Sequence, residues 1–504
     1  MSAPSPAPDR PHRRLQGWML GIVLILLGLA AVLAFLTRGT TDPLGADAPQ
    51  DVFSATRASA AVADVVATPR VVGSEENARA REDLAAQLMD LGYEIEESEG
   101  SATRVRVDDA RAGGSRVTNL AASLPGSDPT GTLVLATHID TVPGSPGAGD
   151  AGAGLAVVME TARILAAEDP RNDVLVLIVD GEEEGLRGAD AYLRDRAGEL
   201  LSPVVVLNHE ARGVSGRPVI IRTAGPVDTV LTGRPGVEAE SFNDALFEIV
   251  PNDTDFTRYA EADWWGLDMA LIGGAWYYHT PWDDARHLDP SSLQTFGDMT
   301  LEHARDLSGR DLGALGDPAS TRPVLTTQPW GVLTLPVPAV QVIAVLAVAL
   351  PLVVLAIQRA RGRMTVTGFL TSGLGGVVAI IGAGVAAIAL WDAGVATRAG
   401  FTSYAVGEPR NPALFVVADA LVGLLTVTLV WAALRRILTA VTASHGFVFG
   451  AAVLFGAAVA WSPGLLSFMV VPVAAGVFGA CLVPFLPESA RIPVHGVLLL
   501  PVAW

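Results

Sequence analysis

Three kinds of hydrophobic pattern divide the chain. Residues 17–36 form an uncharged apolar run of 20 residues, long enough to cross a hydrocarbon core of about 30 Å as a helix. The middle carries short apolar runs of strand length at 133–136, 174–179, 204–207 and 269–272. Helical patterns fall between or after them, at about 153–167, 187–199 and 291–307. Residues 74–91 read as an amphipathic helix with Ser74 as N-cap and with Asn77, Arg79 and Arg81 on solvated faces. Strands alternating with helices predict an α/β domain built on a mostly parallel mixed sheet flanked by helices. Beyond residue 331 the apolar runs lengthen again, near 334–357, 367–391, 412–434, 440–461 and 464–486. They predict an all-α transmembrane bundle. Glycines at 373, 375, 376, 382 and 384, with Gly446-x-x-x-Gly450, suit close helix packing in lipid.

Charge sharpens this division. The chain has 53 acidic and 34 basic residues, a formal net charge of -19, and every basic residue is arginine. From Gly331 onward there are only four acidic residues, so the acidity belongs to the middle of the chain. A nucleic-acid partner is excluded, since it would require a basic footprint. The single cysteine, Cys481, excludes an intramolecular disulfide and a cysteine-rich zinc site. Arg10, His12, Arg13 and Arg14 precede the first apolar run, and arginines mark the connectors 358–363 and 435–436. By the positive-inside rule these basic segments are cytoplasmic. The expected organisation is a cytoplasmic tail over 1–16, a retained anchor over 17–36 rather than a cleaved signal peptide, an extracytoplasmic domain over 41–330, and a multi-span bundle over 331–504. The lipid bilayer is thus one partner.

In a parallel α/β sheet the reactive residues gather beyond the carboxyl ends of the strands. There the sequence places His138 and Asp140, then a glycine-rich turn ending in Asp150. Farther along come Glu182, Glu183 and Glu184 after the second run, Asn208-His209-Glu210 after the third, and Tyr277-Tyr278-His279-Thr280 after the fourth. Imidazoles and carboxylates together suit zinc. With two imidazoles and three carboxylates as ligands, a pair of ions sharing one carboxylate is the economical arrangement. Such a pair could polarise a carbonyl and activate water, with a spare carboxylate as proton acceptor. Each motif alone has an ordinary structural reading: three glutamates commonly start a solvated helix, and a Tyr-Tyr-His-Thr segment commonly forms a turn. Their joint occurrence in this order favours a site.

These motifs, from Val72-Gly73-Ser74-Glu75-Glu76-Asn77 to the helical pattern ending near 307, resemble the co-catalytic zinc exopeptidases of metallopeptidase family 28. The stretch Asn252-Asp253-Thr254-Asp255-Phe256 and the later Tyr277-Tyr278-His279-Thr280 resemble its membrane branch, which includes the vacuolar membrane protease and the endoplasmic reticulum metallopeptidase. The resemblance implies two Zn2+ ions and a peptide substrate. It implies that His138 and Glu210 bind one ion, Glu183 and His279 the other, and that Asp150 bridges them. Asp140 would orient the His138 ring, and Glu182 would be the general base. His209, Asp283, Asp284 and His287 are expected in supporting or surface positions. Ala151 departs from the family's usual Asp or Asn, so the turn at Asp150 is expected to lack side-chain support there. The implied activity is zinc-dependent peptide hydrolysis, of the aminopeptidase kind, in a multi-pass membrane protein. The alternatives are carboxypeptidase or glutaminyl-cyclase chemistry on the same site, a non-catalytic binding module, or a transporter with an accessory domain.

Overall fold

The computed structural model describes the chain apart from residues 1–21, 23, 24, 27, 30, 31, 34–38, 107–110, 235, 250–252, 317–321, 398–411 and 487–504. The tail 1–16, the stretch 496–504 and Asn252 therefore lie outside the described residues. Within 17–36, Ile22, Ile25, Leu26, Gly28, Leu29, Val32 and Leu33 are described, helical and exposed. The chain divides into two compact units, one of which is Gly39–Thr334 and the other the apolar helices.

The Gly39–Thr334 unit is built on a seven-stranded sheet. Its strands are β1 (Glu94–Arg106), β2 (Arg111–Leu124), β3 (Thr132–His138), β4 (Asp173–Val179), β5 (Val204–Ala211), β6 (Ser215–Ala224) and β7 (Trp265–Gly273), in the spatial order β1-β2-β4-β3-β5-β7-β6. The four central strands, β4, β3, β5 and β7, are parallel, and these are the four apolar runs. The outer strands β1, β2 and β6 are antiparallel additions. Their polar, glycine-containing sequences carry at most three apolar residues in a row, which is why periodicity does not announce them.

Side chains alternate across a strand, so a sheet covered on both faces needs apolar residues at every position. Leu133, Leu135, Val174, Val176, Ile178, Val205 and Leu207 join the core on one face. Val134, Ala136, Leu175, Leu177, Val179, Val204 and Val206 join a smaller core on the other, with Tyr192, Phe256, Tyr259 and Trp264. The larger core is covered by helices Ala55–Ala61, Glu75–Asp90, Gly152–Glu168 and Pro290–Gly309. The smaller face is covered by Arg187–Arg196 and Phe256–Glu261.

Helix Glu75–Asp90 begins as expected, with the Ser74 hydroxyl accepting from the Asn77 amide. Asn77 itself, expected on a solvated face, is 1% exposed. Its side-chain amide donates to the Arg70 carbonyl at 3.1 Å and to Asp180 Oδ1 at 3.0 Å, and these bonds hold it inside.

In the second unit, four helices among the described residues are long and apolar enough to cross a membrane: Val337–Ala360, Val366–Thr397, Ala413–Ile437 and Ala440–Trp461. The stretch 331–335, expected within the bundle, forms a strand, β9 (Gly331–Leu335), paired with β8 (Val324–Gln328). The fifth apolar run also differs from expectation. It forms a short 3-10 turn, Ser467–Met469, followed by a 13-residue helix, Val470–Leu482. At 1.5 Å per residue that helix covers about 20 Å, short of a 30 Å core. Helices 366–397 and 440–461 meet at small residues, and a Cβ added to Gly376 would stand 2.5 Å from the Phe447 carbonyl. A Cβ added to Gly384 would meet nothing within 4 Å among the described residues, so only part of the glycine series serves packing there.

Candidate metal centre

The parallel strands deliver the expected residues to one edge of the sheet. His138 is the last residue of β3, Glu210 the penultimate residue of β5, and Glu182 and Glu183 lie just after β4. Asp150 closes the turn before helix Gly152–Glu168. His279 follows β7 through a 3-10 turn at Ala275–Tyr277. It sits at φ +58°, a left-handed conformation that histidine adopts more readily than most residues. Tyr278 stacks on its ring with centroids 3.7 Å apart.

Five candidate ligands converge on Asp150. One Asp150 oxygen lies 3.2 Å from His138 Nε2, which is itself 3.6 Å from Glu210 Oε2. The other oxygen lies 3.2 Å from His279 Nε2, which is 3.0 Å from Glu183 Oε2. His138, Asp150 and Glu210 therefore form one triad and Asp150, Glu183 and His279 a second, each with its ligand atoms within 4.8 Å of one another. Among the described residues, the buried atoms Glu183 Oε1, Glu210 Oε1 and His279 Nε2 have no aligned hydrogen-bond partner. Unpaired buried polar atoms are costly, and two imidazoles with three carboxylates are donors that zinc accepts. The residues fit the metal.

Electrostatics describe the same crowding. Burial, then Asp150, raises the Glu183 carboxyl to about 7. Burial, Glu210 and Asp255 push Glu182 well above the carboxylate range. Burial would lower both histidines, but carboxylates outweigh it. Asp140, Asp150 and Glu210 hold His138 well above its ordinary value, and Asp150 and Glu183 raise His279 to about 9. Burial opposes ionisation of Asp150 too, yet the two imidazoles hold it below the ordinary range.

The surrounding residues hold this geometry. The Asp140 carbonyl lies 3.0 Å from His138 Nδ1, nearer than the Asp140 carboxylate at 3.6 Å. That carboxylate instead accepts from the backbone amides of Glu182 at 3.1 Å and Glu183 at 3.2 Å. It thus ties the histidine strand to the glutamate loop. Ala151 offers no support, as its sequence indicates, but the turn is supported from elsewhere. The buried Asp283 carboxylate accepts from the Gly149 amide at 2.6 Å and the Asp150 amide at 3.2 Å. Burial and Asp150 raise its carboxyl to about 7. A side chain at Gly149 would stand 2.7 Å from the Gly213 carbonyl and 2.9 Å from Asp283 Oδ1, so only glycine permits this approach. His209 is buried behind the site, bonded to the Ala136 carbonyl and Thr300. Asp284 pairs with Arg286 and His287.

Two residues escape the sequence reading. Arg70 is fully buried and donates to the carbonyls of Val65, Thr68, Ile139, Pro146 and Gly147, pinning the loop between His138 and Asp150. Burial lowers it to about 10, against the pull of Asp140, Asp283 and Asp150. No local pattern distinguishes it from other arginines. Asp255 is fully buried with neither carboxylate oxygen partnered among the described residues, and burial and Glu210 raise it well above its ordinary value. Its motif was visible, its orientation was not.

Residues 119–304 match the model of Peptidase family M28. This match lies within the α/β unit. The family resemblance read from the motifs holds. The chain is similar to the endoplasmic reticulum metallopeptidase 1 of Rattus norvegicus, 30% identical over 324 residues, covering 58% of this chain and 35% of that protein. It is also similar to the vacuolar membrane protease of Candida albicans (strain WO-1), 28% identical over 232 residues, 45% of this chain and 27% of that protein. The chain thus spans about a third or less of the length of these curated relatives. Among solved structures, the aminopeptidase from Aneurinibacillus sp. strain AM-1 aligns at 13% identity with a TM-score of 0.44, covering 52% of this chain and 95% of that one.

Proposed function

We propose that the chain is a membrane-anchored, zinc-dependent peptidase whose extracytoplasmic M28 domain removes residues from a free peptide N-terminus. One observation carries this reading: two ligand triads, His138–Asp150–Glu210 and Asp150–Glu183–His279, share a single aspartate. A shared carboxylate is what a pair of ions requires, and one ion alone would leave two of the five donors idle. When bound, zinc would supply Lewis-acid polarisation of the scissile carbonyl and a nucleophilic water at neutral pH.

The remaining work belongs to the chain. Glu182 stands outside both triads, with its amide fixed by Asp140, so its carboxylate is free to take the proton of the attacking water and return it to the leaving amine. Asp140 keeps His138 and the glutamate loop in register. Asp283 and Arg70 keep Asp150 between the two imidazoles. The positive-inside pattern of arginines supports an extracytoplasmic location for the domain, in the plasma membrane of a bacterium or an internal membrane of a eukaryote.

The test is a metal analysis of the purified full chain alongside hydrolysis of matched free and N-blocked peptides. Two zinc ions per chain with cleavage of free peptides alone are expected. Zinc without hydrolysis of any peptide would replace the peptidase with a binding module, and release of a cyclised N-terminus would replace hydrolysis with cyclisation.

A further inference from the structure

Arg212 directly follows β5, and its amide donates to the Leu271 carbonyl at 2.8 Å, so the pairing with β7 continues through it. With alternation of side chains along the strand, Arg212 shares the face of Glu210 rather than that of His209. Its guanidinium carbon lies 6.0 Å from the centre of the Tyr278 ring, and that ring stacks on His279. The half-buried cation thus stands one aromatic ring away from a candidate zinc ligand.

No carboxylate or carbonyl partner holds this guanidinium among the described residues. Every other arginine of the Gly39–Thr334 unit with a described side chain is held by a carboxylate or by backbone carbonyls. In a unit so rich in acid, Arg212 thus stands beside the site without an anionic partner among the described residues. A guanidinium fork matches a carboxylate with two parallel hydrogen bonds.

We propose that Arg212 binds the free α-carboxylate of the substrate, which makes this a site for short peptides. The inference rests on the peptidase reading. A peptide advances about 3.3–3.6 Å per residue, so a carboxylate two residues beyond the scissile bond stands about 7 Å out; with about 3 Å of hydrogen bond it matches the 6.0 Å and 3.7 Å between successive centres from the guanidinium past Tyr278 to His279. The substrates are therefore short peptides of about three residues, whose carboxylate Arg212 holds while the bond beside the metal centre is cut. Longer chains place no charge there.

The experiment uses the zinc-loaded full chain and pairs of tripeptides that differ only in a free or amidated C-terminus. The free acid is expected to exceed its amide in kcat/KM by about 10- to 100-fold, mainly through KM, as one charged hydrogen-bonded pair provides. Arg212→Gln is expected to bring that ratio to about one, and Arg212→Lys to keep part of it. Equal turnover of acid and amide by the unsubstituted chain overturns the proposal. So does a uniform loss on both substrates in Arg212→Gln. Calorimetric binding of the same pairs to Glu182→Gln gives a readout independent of turnover. If no peptide is cleaved, the peptidase reading fails, while tighter binding of the acid that disappears in the Arg212→Gln double variant upholds the carboxylate site. Equal binding of both, or none, overturns it. If Arg212→Gln does not fold, the acid-to-amide ratios of the unsubstituted chain and Arg212→Lys decide.

Discussion

Glu182 and Glu183 are neighbours in sequence with different tasks, and the difference is testable. Both amides bond the Asp140 carboxylate, but only Glu183 reaches a histidine, at 3.0 Å from His279 Nε2. Glu182→Gln keeps the shape and loses the proton acceptor. It is expected to retain zinc and the fold while turnover drops about 10²–10⁴-fold, the usual contribution of a positioned acid–base group. Glu183→Gln is expected to lose metal instead. Metal content measured beside kcat separates the two, and near-normal turnover in zinc-loaded Glu182→Gln would remove it as the base. Asp283 is the third residue to separate. Asp283→Ala leaves the amides of Gly149 and Asp150 without their acceptor in a buried turn. A loss of about 1–3 kcal/mol in stability is expected, together with weaker zinc binding, read by denaturant unfolding and metal titration. Unchanged zinc affinity would mean that the turn holds itself.

The glutamate loop is held between two elements, and this shows at the helix–strand junction. Helix Glu75–Asp90 touches the loop after β4 through Asn77, whose amide bridges the Arg70 carbonyl and Asp180. Asp180 also accepts from the Thr118 amide of β2 at 3.2 Å. Helix, outer strand and β4 thus meet on one carboxylate, which burial and then Asp140 raise to about 6. Asn77→Ala removes a buried donor to two acceptors. A destabilisation of about 1–3 kcal/mol is expected, measured as a shift of the denaturation midpoint at unchanged m-value. A shift no larger than that of a surface substitution such as Arg79→Ala would show that the junction is redundant, because among the described residues Arg79 pairs only with exposed Glu75.

For the whole molecule, two expectations concern metal and membrane. Two triads of imidazoles and carboxylates bring like charges together, so zinc binding is expected to stabilise the native α/β unit. With free zinc at 100 times Kd, each site adds about 2.7 kcal/mol. Chelation should therefore lower the melting temperature of the full chain, and re-added zinc should restore it. A melting temperature indifferent to chelator would argue against a resident metal. The second expectation concerns orientation. An extracytoplasmic reporter fused at residue 320 should be active, and one fused at Arg361 should be silent. The reverse pattern would invert the arrangement drawn from the arginines.

What the sequence by itself determined is whatever repeats along the chain. Four uninterrupted apolar runs became the parallel centre of the sheet, since a strand buried on both faces must be apolar at every position. The residues at their ends were legible for the same reason: the chain leaves parallel strands on one edge, and His138, Asp150, Glu183, Glu210 and His279 meet there. Four of the five apolar runs beyond residue 331 likewise became helices long enough to cross a membrane. Only the tertiary structure decided the residues whose partners are distant. The antiparallel strands β1, β2 and β6 take their shape from pairing across the sheet, so their own sequences are nearly silent. Arg70 and Asn77 look like surface residues in a local window, and Asp283 like a supporting or surface one; all three become internal supports only when loops from remote positions close around them. Arg212 is the converse case. Its significance lies in a partner it lacks, and the absence of a contact among the described residues is a property of three-dimensional arrangement alone.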